Sequence, residues 1–416
     1  MTITEVHGRG SYAIHARRGL DVLSGKLLQD AVLVVENERI VAFGQGLKPP
    51  SGARSLDLGD VTLLPGLHDN HCHLMLEPRN FDAQVFKRNS ARMTLDALVS
   101  AQKTLWSGFT TVRDPGDSDR QYGLVDLRNF VNAGMAPGPR ILVAPHYISI
   151  TGGHGDANDY ACDFCMLSLG KIVDGVDAMR KAVREEIKYG ADWVKLFASG
   201  GVLSMGDDPS ASHYSREELL VAAQEVHRLG KKITAHAHGA EAVRFCAEAG
   251  FDSIEHCTMI DDEGLKLMKD KGIYCVPTLY VIDFLTRPEN PMGVDVSIIE
   301  KAKRMLGFQR DRFSKIVKTG VPVAYGTDIG VFPHGENWRD FPCMIECGMS
   351  PVDAIRTATI NSARMNGIEA ITGSLTEGKR ADVIAVSGNP LDNVSHLSEV
   401  RFVMKDGVVY RMTPES

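Results

Sequence analysis

Two histidines separated by one residue stand near the start of the chain. In the stretch PGLHDNHCHLML (residues 65–76), His71 and His73 flank Cys72, directly after the apolar run VTLLPGL. Side chains two positions apart lie on the same face of an extended strand, so both imidazoles would face one point. Such a pair can hold a metal ion. Histidines also occur in protein cores as hydrogen-bonding groups, so this motif alone leaves both interpretations open.

Further residues with ligand or acid–base chemistry follow other apolar runs. They are Lys195 in DWVKLFASGG, His236 in KITAHAHG, His256 in DSIEHC and Asp328 in VAYGTDIG. Each has a structural explanation when it is taken singly, as a lysine that reaches solvent, a core histidine or an aspartate that caps a helix. The lysine is the least expected of them, because an unpaired charge inside an apolar strand is costly to bury.

The elements that position these residues alternate regularly between short β-branched runs and amphipathic segments. Eight runs can be counted: VTLLPGL, FTTVRD, RILVAP, DWVKLFAS, KITAHA, SIEH, YCVPTL and VAYGTD. Between them lie segments with helical spacing and a closing glycine, such as VDAMRKAVREEIKYG. This alternation predicts an α/β fold, a (β/α)8 TIM barrel over residues 63–372. In such a barrel the C-terminal strand ends meet at one mouth, so the residues named above would converge there.

The two ends of the chain have a different pattern. The N-terminal part contains AVLVVENERIVAFG, and the C-terminal part contains ADVIAVSG and VRFVMKDGVVYR, which indicate hairpins. Neither end can bury much apolar surface alone. We therefore predict that residues 1–62 and 373–416 pair into one small β-sandwich domain.

The composition excludes several classes of function. The chain has 416 residues and a formal net charge of -7, which disfavours nucleic acid and anionic membranes as partners. The first residues lack the apolar region of a signal peptide, and no stretch has the ~20 apolar residues of a membrane helix, so we expect a cytoplasmic protein. The eight cysteines have no disulfide-scaffold spacing. Cys162 and Cys165 form a CxxC motif without a second ligand pair, which favours a loop thiol pair over a zinc or redox site.

Longer motifs add a family resemblance. The chain contains PGLHDNHCHL, GFTTVRD, TGGHGD, VKLFASGGV, AHAHG, SIEH, GTD, GSLTEGKRADVIAV and VMKDGVV. In this combination it resembles the amidohydrolase superfamily, specifically the imidazolonepropionase-like branch with its metal-dependent dipeptidases and ochratoxin-hydrolysing amidases. The resemblance covers nearly the whole chain.

The resemblance implies two divalent metal ions, commonly zinc, at the mouth of the barrel. By residue-by-residue matching, His71, His73 and Asp328 would hold one ion, and His236 and His256 the second.

Lys195 would be carboxylated by carbon dioxide to a carbamate that bridges both ions, which accounts for its apolar surroundings. A hydroxide between the ions would attack the substrate carbonyl, and Asp328 would move the proton to the leaving amine.

The residues that contact substrate are less well defined by the motifs. His146, in VAPHYISI, is the first candidate to polarise the substrate carbonyl, and His238 is the second. The loop SITGGHGD offers His154 and the backbone amide of Gly153, and the loop ASGGVLS offers those of Gly200 and Gly201. Both loops are also consistent with ordinary tight βα turns.

The predicted reaction is hydrolysis of the amide bond in a dipeptide or an N-acyl amino acid, with the free carboxylate received by loop amides. Tyr280, Ile282, Phe284 and Leu285, in a segment expected to cover the mouth, suggest a hydrophobic or aromatic C-terminal residue. Relatives form homo-oligomers, so we expect one here. A mononuclear deaminase would not need Lys195, and a non-catalytic scaffold relative would have lost ligands. A lactonase or phosphotriesterase remains the main alternative, because it also uses a bridging carbamate.

Overall fold

The computed structural model describes residues 7–79, 84, 87–158, 161, 168, 170–290 and 292–413. Cys162 and Cys165 of the CxxC motif lie outside these residues. The strands in chain order are β1 (Ser11–Asp21), β2 (Lys26–Glu36), β3 (Arg39–Gln45), β4 (Arg54–Asp57), β5 (Val61–Pro65), β6 (Leu67–Asp69), β7 (Phe109–Asp114), β8 (Arg140–Val143), β9 (Tyr147–Ser149), β10 (Lys171–Ile172), β11 (Trp193–Phe197), β12 (Lys232–Ala237), β13 (Ser253–His256), β14 (Tyr274–Val276), β15 (Val383–Ser387), β16 (Val400–Lys405) and β17 (Val408–Met412).

The helices connect and follow these strands. They are α1 (Ser90–Trp106), α2 (Gly123–Asn132), α3 (Val176–Lys188), α4 (Arg216–Arg228), α5 (Ala240–Ala249), α6 (Asp262–Lys271), α7 (Tyr280–Leu285), α8 (Val296–Thr319), α9 (Asp340–Glu346), α10 (Pro351–Arg356) and α11 (Ser362–Asn366). Short 3-10 turns occupy Asn337–Arg339 and Val394–Ser398, and a π-helical turn occupies Thr357–Asn361. In the described ranges, none of the helices combines the length and apolarity that crossing a bilayer requires.

The predicted barrel is confirmed. Strands β6, β7 and β8 pair in parallel, as do β9, β11, β12, β13 and β14. β8 and β9 are two parts of one barrel strand, interrupted around Pro145, which has no N–H to donate. Residues 321–329 close the barrel as its eighth strand, through the parallel bridges Cys275↔Val323 and Cys72↔Ile329.

The outer helices follow the pattern of their sequences. In α4, Ser215 and Glu218 form a capping box at the N-terminus, and Leu219, Ala222 and Val226 are buried against the barrel. Burying an aliphatic side chain of this size contributes roughly 1.5–3 kcal/mol. Helix α4 therefore has a defined start and one apolar face that packs on the barrel.

Strands from both ends of the chain form a single hydrogen-bonded sheet. Its order is β17-β16-β15-β5-β1-β2-β3, with β4 also paired to β1. The run VTLLPGL, which we predicted as the first barrel strand, is divided: β5 belongs to this terminal sheet and only β6 to the barrel. The predicted boundary between residues 62 and 63 thus falls inside β5. Two facing sandwich layers and the limits of the domains stay predictions.

Gly66 lies at the junction between the two sheets. A Cβ at this position would lie 2.1 Å from Thr110 Oγ1, so only glycine lets β5 pass this closely over β7. The turn brings the chain from the terminal sheet into the barrel within one residue.

Candidate active site

The six predicted ligands meet in one cavity at the C-terminal ends of the barrel strands. The cavity has a volume of about 280 Å³, and its floor is formed by His71, His73, Lys195, His236, His238, His256 and Asp328. We call these seven residues the histidine floor. Lys195 is only 1% exposed. The prediction that these side chains meet at the mouth of the barrel is therefore confirmed. Their separate roles stay predictions.

The donor atoms of the floor form two overlapping groups. His71, His256 and Asp328 offer atoms that all lie within 4.8 Å of one another, and so do His236, His238 and His256. His73 Nε2 lies 3.2 Å from Asp328 Oδ1, and His71 Nε2 lies 3.6 Å from the same oxygen. The rings of His71 and His256 have centroids 5.0 Å apart. His256 thus connects the two groups into one continuous donor set.

Each imidazole of the floor is held by the protein through one ring nitrogen. The contacts are His71 Nδ1 to Glu255 Oε2 (2.8 Å), His73 Nδ1 to Gly116 O (2.7 Å), His236 Nε2 to Gly200 O (3.1 Å), His238 Nδ1 to Thr258 Oγ1 (2.8 Å) and His256 Nδ1 to Thr278 Oγ1 (2.6 Å). The second ring nitrogen of His71, His236, His238 and His256 takes no part in these contacts, and that of His73 lies beside Asp328. Histidine ligands are typically oriented in this way, so the donor set fits divalent metal ions that take nitrogen and oxygen ligands.

Two of the strand ends adopt an unusual backbone conformation. His256 has φ 68° and Asp328 has φ 65°, in the left-handed region that residues other than glycine seldom occupy. Such residues cost of order 1–3 kcal/mol each and persist only where surrounding contacts enforce them. Here the Asp328 N–H donates to His71 O at 2.7 Å. The fold therefore holds these two side chains at the cavity at a cost in folding free energy.

A buried ion pair beneath the floor did not enter the sequence prediction. Glu255 accepts from His71 and from Arg113 Nη2 at 2.5 Å, and both residues of the ion pair are 0% exposed. Arg113 also donates to Asn70 O and Ser253 Oγ, and its guanidinium lies 4.4 Å from the centre of the Trp193 ring. The sequence did contain a signal for this pair, because Glu255 is a charged residue inside the apolar strand SIEH. The same argument had singled out Lys195.

The protonation states suit a ligand role for most of the floor. Burial lowers the pKa of His236, His238 and His256, so these rings are neutral near pH 7. Burial also lowers the pKa of Lys195 to about 8, against the opposing effect of Glu255. His73 is the exception: burial lowers its pKa, but the hydrogen bond and charge of Asp328 outweigh this and raise it to about 9.

The predicted substrate contacts divide into two groups. His154 and His238 line the cavity, and the His154 ring stacks on that of His236 with centroids 4.6 Å apart. His146, our first candidate to polarise the carbonyl, is not placed with them. Its Nδ1 lies 3.1 Å from both carboxylate oxygens of Glu186 on α3, and its ring packs edge-on against Tyr122. The geometry therefore favours His238 over His146.

The expected role of the loop glycines as free amide donors is wrong for all three positions. Gly153 N donates to Ile150 O, Gly200 N to Ala211 O and Gly201 N to an Asp207 carboxylate oxygen, at 3.0, 3.3 and 2.8 Å. These N–H groups are already used within the protein. The glycines serve close packing instead: a Cβ on Gly201 would lie 2.1 Å from the His154 ring.

The same loop holds His154 in place. His154 Nδ1 lies 2.7 Å from Ser204 Oγ, and Ser204 donates to Asp207 Oδ1 at 2.6 Å. Lys301, on α8, lies 3.1 Å from that carboxylate and also donates to Gly201 O and Ser204 O. This chain of contacts joins α8 to the His154 ring inside the cavity. No sequence motif predicted it.

Two further segments line the cavity. We call residues 202–205 and the described residues of 281–298 the roof. Val281, Ile282 and Leu285 face the cavity, as the sequence suggested in part, whereas Tyr280 and Phe284 pack against Phe332 instead. The roof is mainly apolar, in contrast to the floor.

Comparisons with known proteins agree with this geometry. The sequence profile of the Amidohydrolase family matches residues 62–411. Ochratoxinase from Aspergillus niger is 31% identical over 416 residues, covering 93% of this chain and 84% of that protein.

Two solved structures extend the comparison. A Xaa-Pro dipeptidase with bound methionine in the active site superposes with a TM-score of 0.91 and 35% identity, covering 97% of this chain and 100% of that chain. A prolidase complexed with N-methylphosphonate-L-proline has a TM-score of 0.89, 26% identity and the same coverage. The chain therefore belongs to the amidohydrolase family, and it is a hydrolase that acts on amide bonds.

Proposed function

We propose that the protein hydrolyses the amide bond of dipeptides or N-acyl amino acids and related amides, with two divalent metal ions held by the histidine floor. The observation that carries the proposal is the continuous donor set, together with a buried lysine that lines the same cavity. A deaminase-type site with one ion would leave Lys195 without a function.

The residues that would hold the ions follow from the matched motifs. His71, His73 and Asp328 would serve one ion, and His236 and His256 the other, with zinc as the expected metal. Bound ions of this kind lower the pKa of water and polarise a carbonyl oxygen.

Lys195 has the chemistry to join the two ligand sets. Its pKa of about 8 leaves a fraction of neutral amine near neutral pH. The neutral nitrogen would form a C–N bond with carbon dioxide and release one proton, which converts a cation into an anionic oxygen ligand. The apolar strand around Lys195 favours removal of the positive charge.

Asp328 would move protons during the reaction. Its carboxylate, whose pKa lies at about 2 because His71 and His73 counteract the effect of burial, is ionised at neutral pH. It would accept a proton from the attacking water and deliver it to the departing nitrogen, because an amine leaves poorly unless it is protonated. His238 would donate from Nε2 to the substrate carbonyl, since Thr258 holds its Nδ1.

The relatives support an amide next to an amino acid unit, since one is a Xaa-Pro dipeptidase and another is ochratoxinase. A direct test is a panel of dipeptides, N-acyl amino acids and lactones offered to zinc-loaded protein. We expect amide cleavage that is lost with a chelator and restored by zinc. Lactone hydrolysis without cleavage of any amide would replace the proposal by the lactonase alternative.

A further inference from the structure

A buried carboxylate beside the histidine floor has no role in the proposed reaction. Asp69 is the last residue of β6 and is 0% exposed. Its Oδ1 accepts from His71 N at 3.1 Å and from Thr327 N at 3.2 Å, and its Oδ2 accepts from Thr327 Oγ1 at 2.6 Å and from Asn337 Nδ2 at 2.8 Å. Two donors on each oxygen use the full accepting capacity of a carboxylate. Asp69 is therefore held in one orientation.

This carboxylate joins the first barrel strand to the eighth at the point where both reach the floor. His71 lies two residues after Asp69, and Asp328 directly follows Thr327. The backbone connects the same two strands, because Asp328 N donates to His71 O at 2.7 Å. Asp69 adds a side-chain link between the strand that carries His71 and the strand that carries Asp328.

Asp328 needs such a link because its backbone is strained. Its φ of 65° lies in a region that persists only where surrounding contacts enforce it. Three consecutive N–H groups at this residue are bound: Thr327 N to Asp69, Asp328 N to His71 O, and Ile329 N to Thr327 Oγ1 at 3.2 Å. The third contact also depends on Asp69. The Thr327 hydroxyl donates its one proton to that carboxylate, so its lone pairs remain for Ile329 N.

We propose that Asp69 is a positioning residue of the active site, which fixes the backbone of Asp328 through Thr327 and so aims the Asp328 carboxylate at the proposed metal ions. The proposal rests on the proposed function and adds to it a residue that acts through Asp328. Asp328 Oδ1 lies 3.2 Å from His73 Nε2 and 3.6 Å from His71 Nε2. A small rotation of the Asp328 backbone would therefore change the donor set.

Asp69→Asn tests the proposal on protein loaded with Co²⁺, whose visible absorption bands report the coordination of the ion. Asparagine keeps the size of the side chain, but its NH2 group would face donors that the second carboxylate oxygen now accepts. We expect the bands to change in position or intensity. In the zinc-loaded enzyme kcat should fall by about 10–100-fold with KM within about threefold, as is common when a residue behind a ligand is lost. An unchanged Co²⁺ spectrum would overturn the proposal.

Asp382→Asn is the matched control for a general loss of stability. Asp382 is 2% exposed and directly precedes β15 of the terminal sheet. Its carboxylate also accepts several hydrogen bonds, from Arg140 Nη1, Thr372 Oγ1 and Asp406 N. Thermal unfolding should show lower stability in both variants, whereas the Co²⁺ spectrum should change only in Asp69→Asn. The same spectral change in Asp382→Asn would show that loosening of the fold is the cause, and would remove the specific role of Asp69.

Two variants of Thr327 keep the test decisive if Asp69→Asn does not fold. Thr327→Val has nearly the same shape but lacks the hydroxyl that connects Asp69 to Ile329 N, and Thr327→Ser keeps that hydroxyl. The valine variant should lower kcat about fivefold or more, which corresponds to the loss of at least one typical hydrogen bond, and should change the Co²⁺ spectrum. The serine variant should retain most of both properties. Equal behaviour of the two variants would contradict the link through Thr327.

The failure of this proposal can be distinguished from that of the proposed function. The Co²⁺ spectra need no substrate, so they test Asp69 even if no amide is hydrolysed, and in that case the proposed reaction alone fails. Amide hydrolysis together with a spectrum that Asp69→Asn leaves unchanged would retain the reaction and remove the positioning role. A protein that binds no Co²⁺ would remove both.

Discussion

The floor and the roof of the cavity are built by different physical means. Every histidine of the floor has a hydrogen-bond partner behind it, and His71 is supported by the fully buried pair of Glu255 and Arg113. The roof is lined mainly by apolar side chains, and two polar links attach it to α8: Ser204 with Asp207 and Lys301, and the ion pair of Asp283 with Arg310. Directional contacts fix reacting atoms, whereas apolar contacts tolerate different shapes. Floor substitutions should therefore reduce turnover or metal binding, and roof substitutions should mainly change KM.

The largest expected effect is that of Asp328→Asn. Asparagine keeps an oxygen near His71 and His73 but cannot accept the proton, so we expect kcat to fall by roughly 10²–10⁴-fold. Metal content, measured by elemental analysis, should change much less than kcat. Turnover close to that of the unmodified enzyme would show that Asp328 is not the proton carrier.

Glu255→Gln removes the charge that holds His71 while keeping the shape of the side chain. We expect metal affinity to fall by about 10–100-fold, as is common when the partner of a ligand histidine is lost. Competition with a chromogenic chelator would measure this. Glu225→Gln is the control, because Glu225 pairs with Arg184 and Arg228 on the outside of the barrel. Equal losses in the two variants would contradict a specific role for Glu255.

Ser204→Ala should have a moderate effect on the roof side. The variant removes the contact to His154 Nδ1 and one hydrogen bond to Asp207, with a net value of about 1 kcal/mol each. We expect KM to rise roughly fivefold or more with a smaller change in kcat. Ser210→Ala, which removes an exposed contact to Asp208 in the same loop, serves as control. A loss confined to kcat would place His154 among the reacting groups instead.

His146→Gln should have the smallest effect on catalysis. Because this ring contacts Glu186 and Tyr122 outside the cavity, we expect kcat/KM to stay within about threefold of the unmodified enzyme. The free energy of unfolding should fall by about 1–3 kcal/mol. His238→Gln, at a residue that lines the cavity, should lower kcat/KM far more. If the two variants lose activity equally, His146 reaches the substrate after all.

The floor could be predicted because each residue belongs to a short motif at a strand end, where the barrel fixes direction. His146 could not be placed in this way. It lies at the break between β8 and β9, and an irregularity in a strand changes which face the following side chains occupy. The hydrogen bonds made by the N–H groups of Gly153 and Gly201 could not be predicted either, because they depend on how each loop folds back on itself.

The terminal sheet could also be predicted only in part. Alternating patterns predicted strands at both ends, but they did not predict that β5 pairs with β15 from the far end of the chain. The run VTLLPGL reads as one strand, and only the close approach at Gly66 divides it between two sheets. Pairing over such sequence distance depends on the whole fold.

The metal stoichiometry tests the central claim most directly. Protein purified without chelator and then loaded with zinc and bicarbonate should contain two zinc ions per chain by elemental analysis, and Lys195→Ala should contain fewer under the same conditions. The donor set around His256 and the buried Lys195 lead to this result. A value that stays at one ion per chain in the unmodified protein, and that Lys195→Ala leaves unchanged, would contradict the two-metal account.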